Sequence, residues 1–155
     1  MISVSYASAT NQRLDAAKRL LALAQSSEET WLVSSLEGSA LFQLRSAFNG
    51  LLQEVAQSYA LSDCLDVIAL ASEAEAKQSI IPVLSELKDL MAQPRSWCCL
   101  LLKAYQQQLE CHLVQSSFDR ADLIGSGGDD GAAMQLYLAK LTDLVLRFRE
   151  ESSEY

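Results

Sequence analysis

Residues 125–131 form the densest group of ligand-binding candidates in the chain. Four of the six glycines lie there, together with Asp129 and Asp130. Backbone amides ahead of a helix can bind phosphate, but a P-loop also needs a preceding strand and a Gly-Lys-Ser or Gly-Lys-Thr ending. An EF-hand needs alternating oxygen ligands and a terminal glutamate. The sequence predicts none of these features, so we interpret residues 116–131 as a flexible loop whose Asp129 or Asp130 caps the next helix, with weak cation binding as the alternative.

His112 is the only histidine in the sequence. One histidine cannot supply the paired Glu-x-x-His motifs of a dinuclear metal site. A serine hydrolase triad built around it would lack the Gly-x-Ser-x-Gly elbow. Its position on the apolar side of a predicted helix favours a partly buried packing residue, and a general base is the alternative.

Four cysteines are an even number, as a disulfide framework would have. Cys98 and Cys99 are adjacent, and Cys111 follows on the same predicted helix, roughly 18 Å away at a rise of ~1.5 Å per residue. The Cα atoms of a disulfide lie within about 7 Å of each other, and no Cys-x-x-Cys pair is present to begin a zinc site. The sequence therefore predicts free structural thiols, no metal site and no cofactor.

Better candidates are polar side chains on otherwise apolar helix faces, namely Asn11, Gln12, Arg45, Asn49 and Glu54. Arg45 lies in a hydrophobic stripe between Phe42 and Phe48, so its guanidinium must form an ion pair, reach solvent or line a pocket. A structural ion pair with Glu37, or with Glu54 of a partner chain, is one interpretation, and a ligand anchor is the other. The candidate pocket residues are Arg45, Asn49, Tyr59 and His112.

The elements that carry these residues are predicted to be helices. The chain is rich in Leu, Ala, Gln and Glu, which favour helix, and only two prolines and six glycines interrupt it. Apolar spacing predicts helices over about 5–24, 28–59, 62–74, 82–91, 94–114 and 129–148, followed by an acidic tail over about 149–155 that frays. Ser26 and Glu29 have the spacing of a capping box for the second helix, and Pro82 and Pro94 fit first helical turns. Gly38 and Gly50 inside the second helix are expected to mark close helix crossings or a slight bend.

The predicted fold is a single all-α domain over residues 1–155, an antiparallel and largely up-and-down bundle of five or six helices. Half of the residues are apolar and the net charge is −8, with a pI near 4.6. The acidic charge opposes binding to nucleic acid or anionic lipid. No apolar run approaches the ~20 residues of a membrane span and no signal peptide is recognisable, which favours a cytoplasmic protein.

Four groups of residues resemble a small uncharacterised bacterial all-helical family, known as a domain of unknown function. They are residues 10–12 (Thr-Asn-Gln), residues 40–42 (Ala-Leu-Phe) continuing through Leu51 to Tyr59, residues 94–97, and residues 146–150 (Leu-Arg-Phe-Arg-Glu) continuing to Tyr155. The resemblance spans most of the chain apart from residues 63–80 and the glycine-rich loop. It implies a bacterial, cytoplasmic, helical protein and contributes no catalytic residue.

We expect a non-enzymatic protein-interaction module, and a homodimer is one form that the interaction would take. The expectation comes from the second and fifth helices, whose apolar faces are wider than one small core requires. The candidate interface residues are Trp31, Leu32, Leu36, Leu101, Leu102 and Tyr105. The alternative is small-molecule binding or catalysis in a cavity between helices, and a third hypothesis is an acidic competitor for nucleic-acid-binding proteins.

Overall fold

The fold of the protein is all-helical in a computed structural model that describes residues 5–112 and 129–153. Six α-helices are present in these two ranges, and they confirm the predicted fold class. The helices are α1 (Tyr6–Ser26), α2 (Thr30–Ser58), α3 (Val67–Ala76), α4 (Pro82–Met91), α5 (Trp97–Leu109) and α6 (Asp129–Ser153).

Side-chain caps explain where several helices begin. Ser5, Asp66 and Ser96 each accept a hydrogen bond from the backbone N–H three residues later, at the starts of α1, α3 and α5. Pro82 occupies the first turn of α4, as its missing N–H predicts. The predicted start of the third helix near residue 62 is wrong, since the chain does not become helical until Val67.

The predicted capping box of α2 is also wrong. α1 continues through Ser26, and the N-cap of α2 is Glu29, whose side chain makes no capping hydrogen bond. Instead the Ser27 hydroxyl accepts from the backbone N–H of Glu29, within the short connection between the two helices. Pro94 precedes α5 and does not begin it, because the Ser96 hydroxyl satisfies the N–H of Cys99 and sets the helix start at Trp97.

Two helix ends differ from the prediction in opposite directions. α5 ends at Leu109 and not near Val114, since Cys111 adopts a left-handed backbone conformation with φ of 60°. α6 continues to Ser153, so residues 149–153 are helical and do not form a frayed tail. Most of the predicted loop 116–131 lies outside the described residues, as do the side chains of Asp129 and Asp130, while residues 129–131 belong to α6.

α2 and α6 lie at the centre of the bundle, because α2 contacts α1, α5 and α6, and α6 contacts α1, α2, α4 and α5. The three-residue connection between α1 and α2 makes them an antiparallel pair. α4 packs on α3, α5 and α6. The largest fully buried side chains come from all six helices, and they include Leu21, Phe48, Leu70, Leu87, Leu101 and Leu141.

The two glycines of α2 lie against different neighbours. A Cβ on Gly50 would overlap the Thr10 hydroxyl, so Gly50 permits the close crossing of α1 and α2. A Cβ on Gly38 would meet only the end of the Gln108 side chain of α5, at 2.9 Å. Gly50 therefore confirms the expected close crossing, whereas Gly38 lies beside a flexible side chain.

In the part of the chain that the structure describes, no helix is both long and apolar enough to span a membrane.

Candidate functional site

A shallow cleft between α2 and α5 contains the half-buried guanidinium of Arg45. Its volume is about 260 Å³, and its walls are formed by Phe42, Arg45, Ser46, Asn49 and Tyr105. Arg45 and Asn49 lie one turn apart on α2, and Arg45 Nη1 donates a hydrogen bond to Asn49 Oδ1. Tyr105 comes from α5, so two helices form the cleft together.

Aromatic rings surround the Arg45 guanidinium. Its Cζ lies 5.3 Å from the centre of the Phe48 ring and 6.0 Å from the centre of the Tyr105 ring. Both distances are within the range of cation–π attraction. The rings also exclude water, and this burial lowers the pKa of Arg45 below its ordinary value. Arginine nevertheless stays protonated in proteins, so the cleft holds a partly desolvated positive charge.

The charge of Arg45 is not neutralised by a carboxylate among residues 5–112 and 129–153. The predicted ion pair with Glu37 is thus not formed in the structure. Of the five N–H donors of the guanidinium, one is used by Asn49. Within the same ranges, the hydroxyls of Ser46 and Tyr105 and the NH₂ group of Asn49 have no hydrogen-bond partner. The cleft therefore presents a surplus of hydrogen-bond donors.

A second arginine site lies on the opposite side of α2. Arg149 of α6 donates from Nε to Glu54 Oε1 at 3.0 Å and from Nη2 to Glu54 Oε2 at 3.3 Å. It also donates to Asn11 Oδ1 at 2.7 Å and to the backbone oxygen of Ala7 at 3.1 Å. Glu54 is only 7 % exposed. Because four of its five N–H donors find acceptors on α1 and α2, this network, which we call the Arg149 clasp, holds α6 to α1 and α2 and is structural.

The four predicted pocket residues do not come together. Arg45 and Asn49 line the cleft, whereas Tyr59 packs its ring against Phe148, with the ring centres 6.5 Å apart. His112 follows the end of α5 and is exposed, so the predicted partly buried packing role is wrong. The cleft instead adds Phe42, Ser46 and Tyr105 to the predicted pair.

The predicted interface residues are divided between core and surface. Trp31 is 67 % exposed, while Leu32, Leu36, Leu102 and Tyr105 are half-buried. Leu101 is fully buried in the core and offers no surface for a partner. Leu101 is buried because it lies on the same side of α5 as Cys98, and this side faces the core.

Arg149 is the important residue that the sequence prediction missed, because it was assigned to the acidic tail. A signal was present in α2, where Glu54 lies in an apolar stretch between Leu52 and Val55. A buried carboxylate requires a cation, and Arg149 follows the apolar stripe that ends at Phe148. In the described ranges, no group of three His, Cys, Asp or Glu residues is placed to hold a metal ion.

The fold and the cleft define an all-α bundle protein with a small polar cleft between two of its helices. The chain belongs to a family of unknown function (DUF6586), whose model matches residues 1–155. No curated protein and no solved structure matches the chain.

Proposed function

We propose that the protein is a non-enzymatic protein-interaction module that binds its partner through one face of α2 and α5. We call this surface the α2–α5 face and define it by Trp31, Phe42, Arg45, Asn49, Tyr105 and Leu109. The spacing of Trp31, Phe42, Arg45 and Asn49 keeps them on one side of α2. Gln108 Nε2 donates to the backbone oxygen of Gly38, which places the end of α5 beside the same stripe.

The observation that carries the proposal is the composition of this face. Trp31 is 67 % exposed, Phe42 is 48 % exposed and Leu109 is 65 % exposed, while Arg45 and Tyr105 are half-buried beside Phe42. Trp, Tyr and Arg are the residue types that contribute most to binding at protein interfaces. Large apolar side chains that a helix leaves in solvent mark interfaces when they are contiguous.

The partner is either another protein or a second copy of this chain. The four cysteines are free thiols, which supports action in a reducing compartment such as the cytoplasm of a bacterium.

The test uses the double variant Trp31→Ala and Phe42→Ala. Both side chains are exposed, so the variant is expected to fold and to lose the interaction. Ile80→Ala is the matched control, because Ile80 is 89 % exposed but lies between α3 and α4. Sedimentation velocity across a dilution series measures self-association, and affinity purification of the tagged chains measures retention of other proteins.

The proposal is supported if a dimer or one defined partner is lost in the double variant and retained in the Ile80→Ala control. It is contradicted if the wild type is a strict monomer that retains no partner, or if the two variants behave alike.

A further inference from the structure

The Arg45 cleft has the chemistry of a binding site for a small anion. A half-buried guanidinium is surrounded by the Phe48 and Tyr105 rings, and within residues 5–112 and 129–153 it makes one hydrogen bond, to Asn49. Taking a cation out of water costs free energy, and buried charges are usually paired with an opposite charge that offsets part of that cost. Among the residues that the structure describes, no carboxylate does so for Arg45. An anionic ligand would supply the missing charge.

The remaining polar groups of the cleft also favour an acceptor-rich ligand. The Asn49 carbonyl oxygen is already used by Arg45, which leaves its NH₂ group as a donor. Ser46 and Tyr105 line the same cavity, and a hydroxyl can donate as well as accept. A ligand that accepts several hydrogen bonds therefore matches the cleft better than a ligand that donates them.

The size and charge of the cleft limit the ligand further. A volume of about 260 Å³ is below the usual range of roughly 300–1,000 Å³ for drug-sized ligands. One arginine in a chain of net charge −8 suits a monoanion better than a phosphate dianion. The planar fork of a guanidinium also matches the two oxygens of a carboxylate.

The apolar wall indicates what the carboxylate is attached to. Phe42 lines the cavity and is 48 % exposed, so part of its ring is available to a second apolar group. An aromatic or branched aliphatic body would cover that ring and gain from leaving water.

We propose that the Arg45 cleft is a binding site for a small organic monocarboxylate with an aromatic or aliphatic body. Arg45 binds the carboxylate, Asn49 holds the guanidinium in place and Phe42 contacts the apolar body. This site goes beyond the protein-interaction function, because it takes a free small molecule and requires no partner chain.

Benzoate is the probe, and benzamide is its neutral counterpart of nearly the same shape. Titration of each into the ¹⁵N-labelled full chain is followed by amide chemical shifts. Benzoate is expected to produce saturable shifts centred on residues 42–49 and on Tyr105. Benzamide is expected to bind at least about tenfold more weakly, equal to ~1.4 kcal/mol, because it lacks the charge.

Arg45→Gln removes the charge and retains hydrogen-bonding capacity, and it is expected to lose benzoate binding by a similar factor. Arg19→Gln is the matched control, because Arg19 is an exposed arginine on α1 that pairs with Asp15. The comparison of benzoate with benzamide uses the wild type, so it remains decisive even if Arg45→Gln fails to fold.

Three results would overturn this proposal. The first is the absence of saturable shifts around residues 42–49, and the second is equal binding of benzamide. The third is tighter binding of inorganic phosphate than of benzoate, which would make the cleft a phosphate site. None of these measurements depends on a partner protein, so they can fail while the interaction of the α2–α5 face is confirmed, and the reverse also holds.

Discussion

Arg45 belongs to α2 and Arg149 of α6 packs against α2, and the two residues differ in what surrounds the guanidinium. Glu54, which pairs with Arg149, follows Arg45 by nine residues, or two and a half helical turns, so the two sites face opposite sides of α2. In the Arg149 clasp, carboxylate, amide and backbone oxygens accept from the guanidinium. In the Arg45 cleft, two rings and one amide surround the charge.

The glycines of α2 show the same contrast between its two sides. Gly50 brings α1 against α2 with no room for a methyl group, while Gly38 faces the movable end of Gln108. The side of α2 toward α1 and α6 is therefore closed by packing and charge. The side toward α5 leaves a cleft and exposed rings. A helix can thus stabilise the fold with one side and present a binding surface with the other.

The largest expected effect is at the Arg149 clasp. Arg149→Met leaves the buried Glu54 carboxylate without a cation, and we expect the free energy of unfolding to fall by about 3 kcal/mol. Arg147→Met is the control, because Arg147 bonds Glu86 and Asp143 at the surface. Such surface pairs contribute at most ~1 kcal/mol. Urea unfolding of both variants measures the difference.

Adding Glu54→Gln to the Arg149→Met variant is expected to restore part of the lost stability, since a neutral amide costs less to bury than a carboxylate. Equal losses for Arg149→Met and Arg147→Met would show that the clasp is no more important than a surface ion pair.

The next effect compares the glycines. Gly50→Ala forces α1 away from α2 at Thr10, and we expect a loss of about 1–3 kcal/mol despite the higher helix propensity of alanine. Gly38→Ala is expected to be neutral or to stabilise by up to ~1 kcal/mol, because Gln108 can move aside. Thermal and urea unfolding test both variants. A larger loss of stability in Gly38→Ala than in Gly50→Ala would contradict the proposed difference between the two sides of α2.

A smaller effect is expected at the cleft itself. Arg45→Met keeps an apolar side chain and removes the charge. The loss of the cation–π contacts destabilises the fold, while the removal of a partly desolvated charge stabilises it, so the two effects oppose each other. The free energy of unfolding should change by less than about 1 kcal/mol. A loss as large as that of Arg149→Met would instead identify Arg45 as a structural residue and weaken its assignment to a ligand.

The smallest energetic effect at neutral pH concerns the thiol beneath the cleft. Burial is the main reason that the pKa of Cys98 is raised to about 12, and the neighbouring Cys99 thiol contributes to the same shift. A thiol whose pKa is raised by folding stabilises the folded state below its ordinary pKa, and this contribution is lost as the pH rises toward 12. Near pH 8 Cys98 should resist thiol reagents, while the exposed Cys111 reacts quickly.

Mass spectrometry of maleimide-labelled peptides distinguishes the two thiols. Stability should decline above about pH 9 in the wild type and decline less in Cys98→Ala. Rapid labelling of Cys98 at pH 8 would mean that the α5 side of the bundle opens readily.

The helical fold could be predicted because periodic apolar residues and rare breakers act locally along the chain. Arg45 and Asn49 were also predictable, since one turn of α2 places them side by side. Tyr105 in the cleft and Arg149 on Glu54 were not, because both contacts depend on how distant helices pack. Helix ends such as Leu109 depended on a left-handed residue, Cys111, which carries no glycine signal.

The long sequence separation within the Arg149 clasp has a consequence for the order of assembly. Arg149 lies 95 residues from Glu54 and 138 from Asn11. α1 and α2 can pair early through their short connection, but the Glu54 carboxylate then waits for a helix that is synthesised much later. We expect an α1–α2 hairpin without α6 to be only marginally stable. Formation of the Arg149 clasp would then be the step that stabilises the native arrangement of α1, α2 and α6.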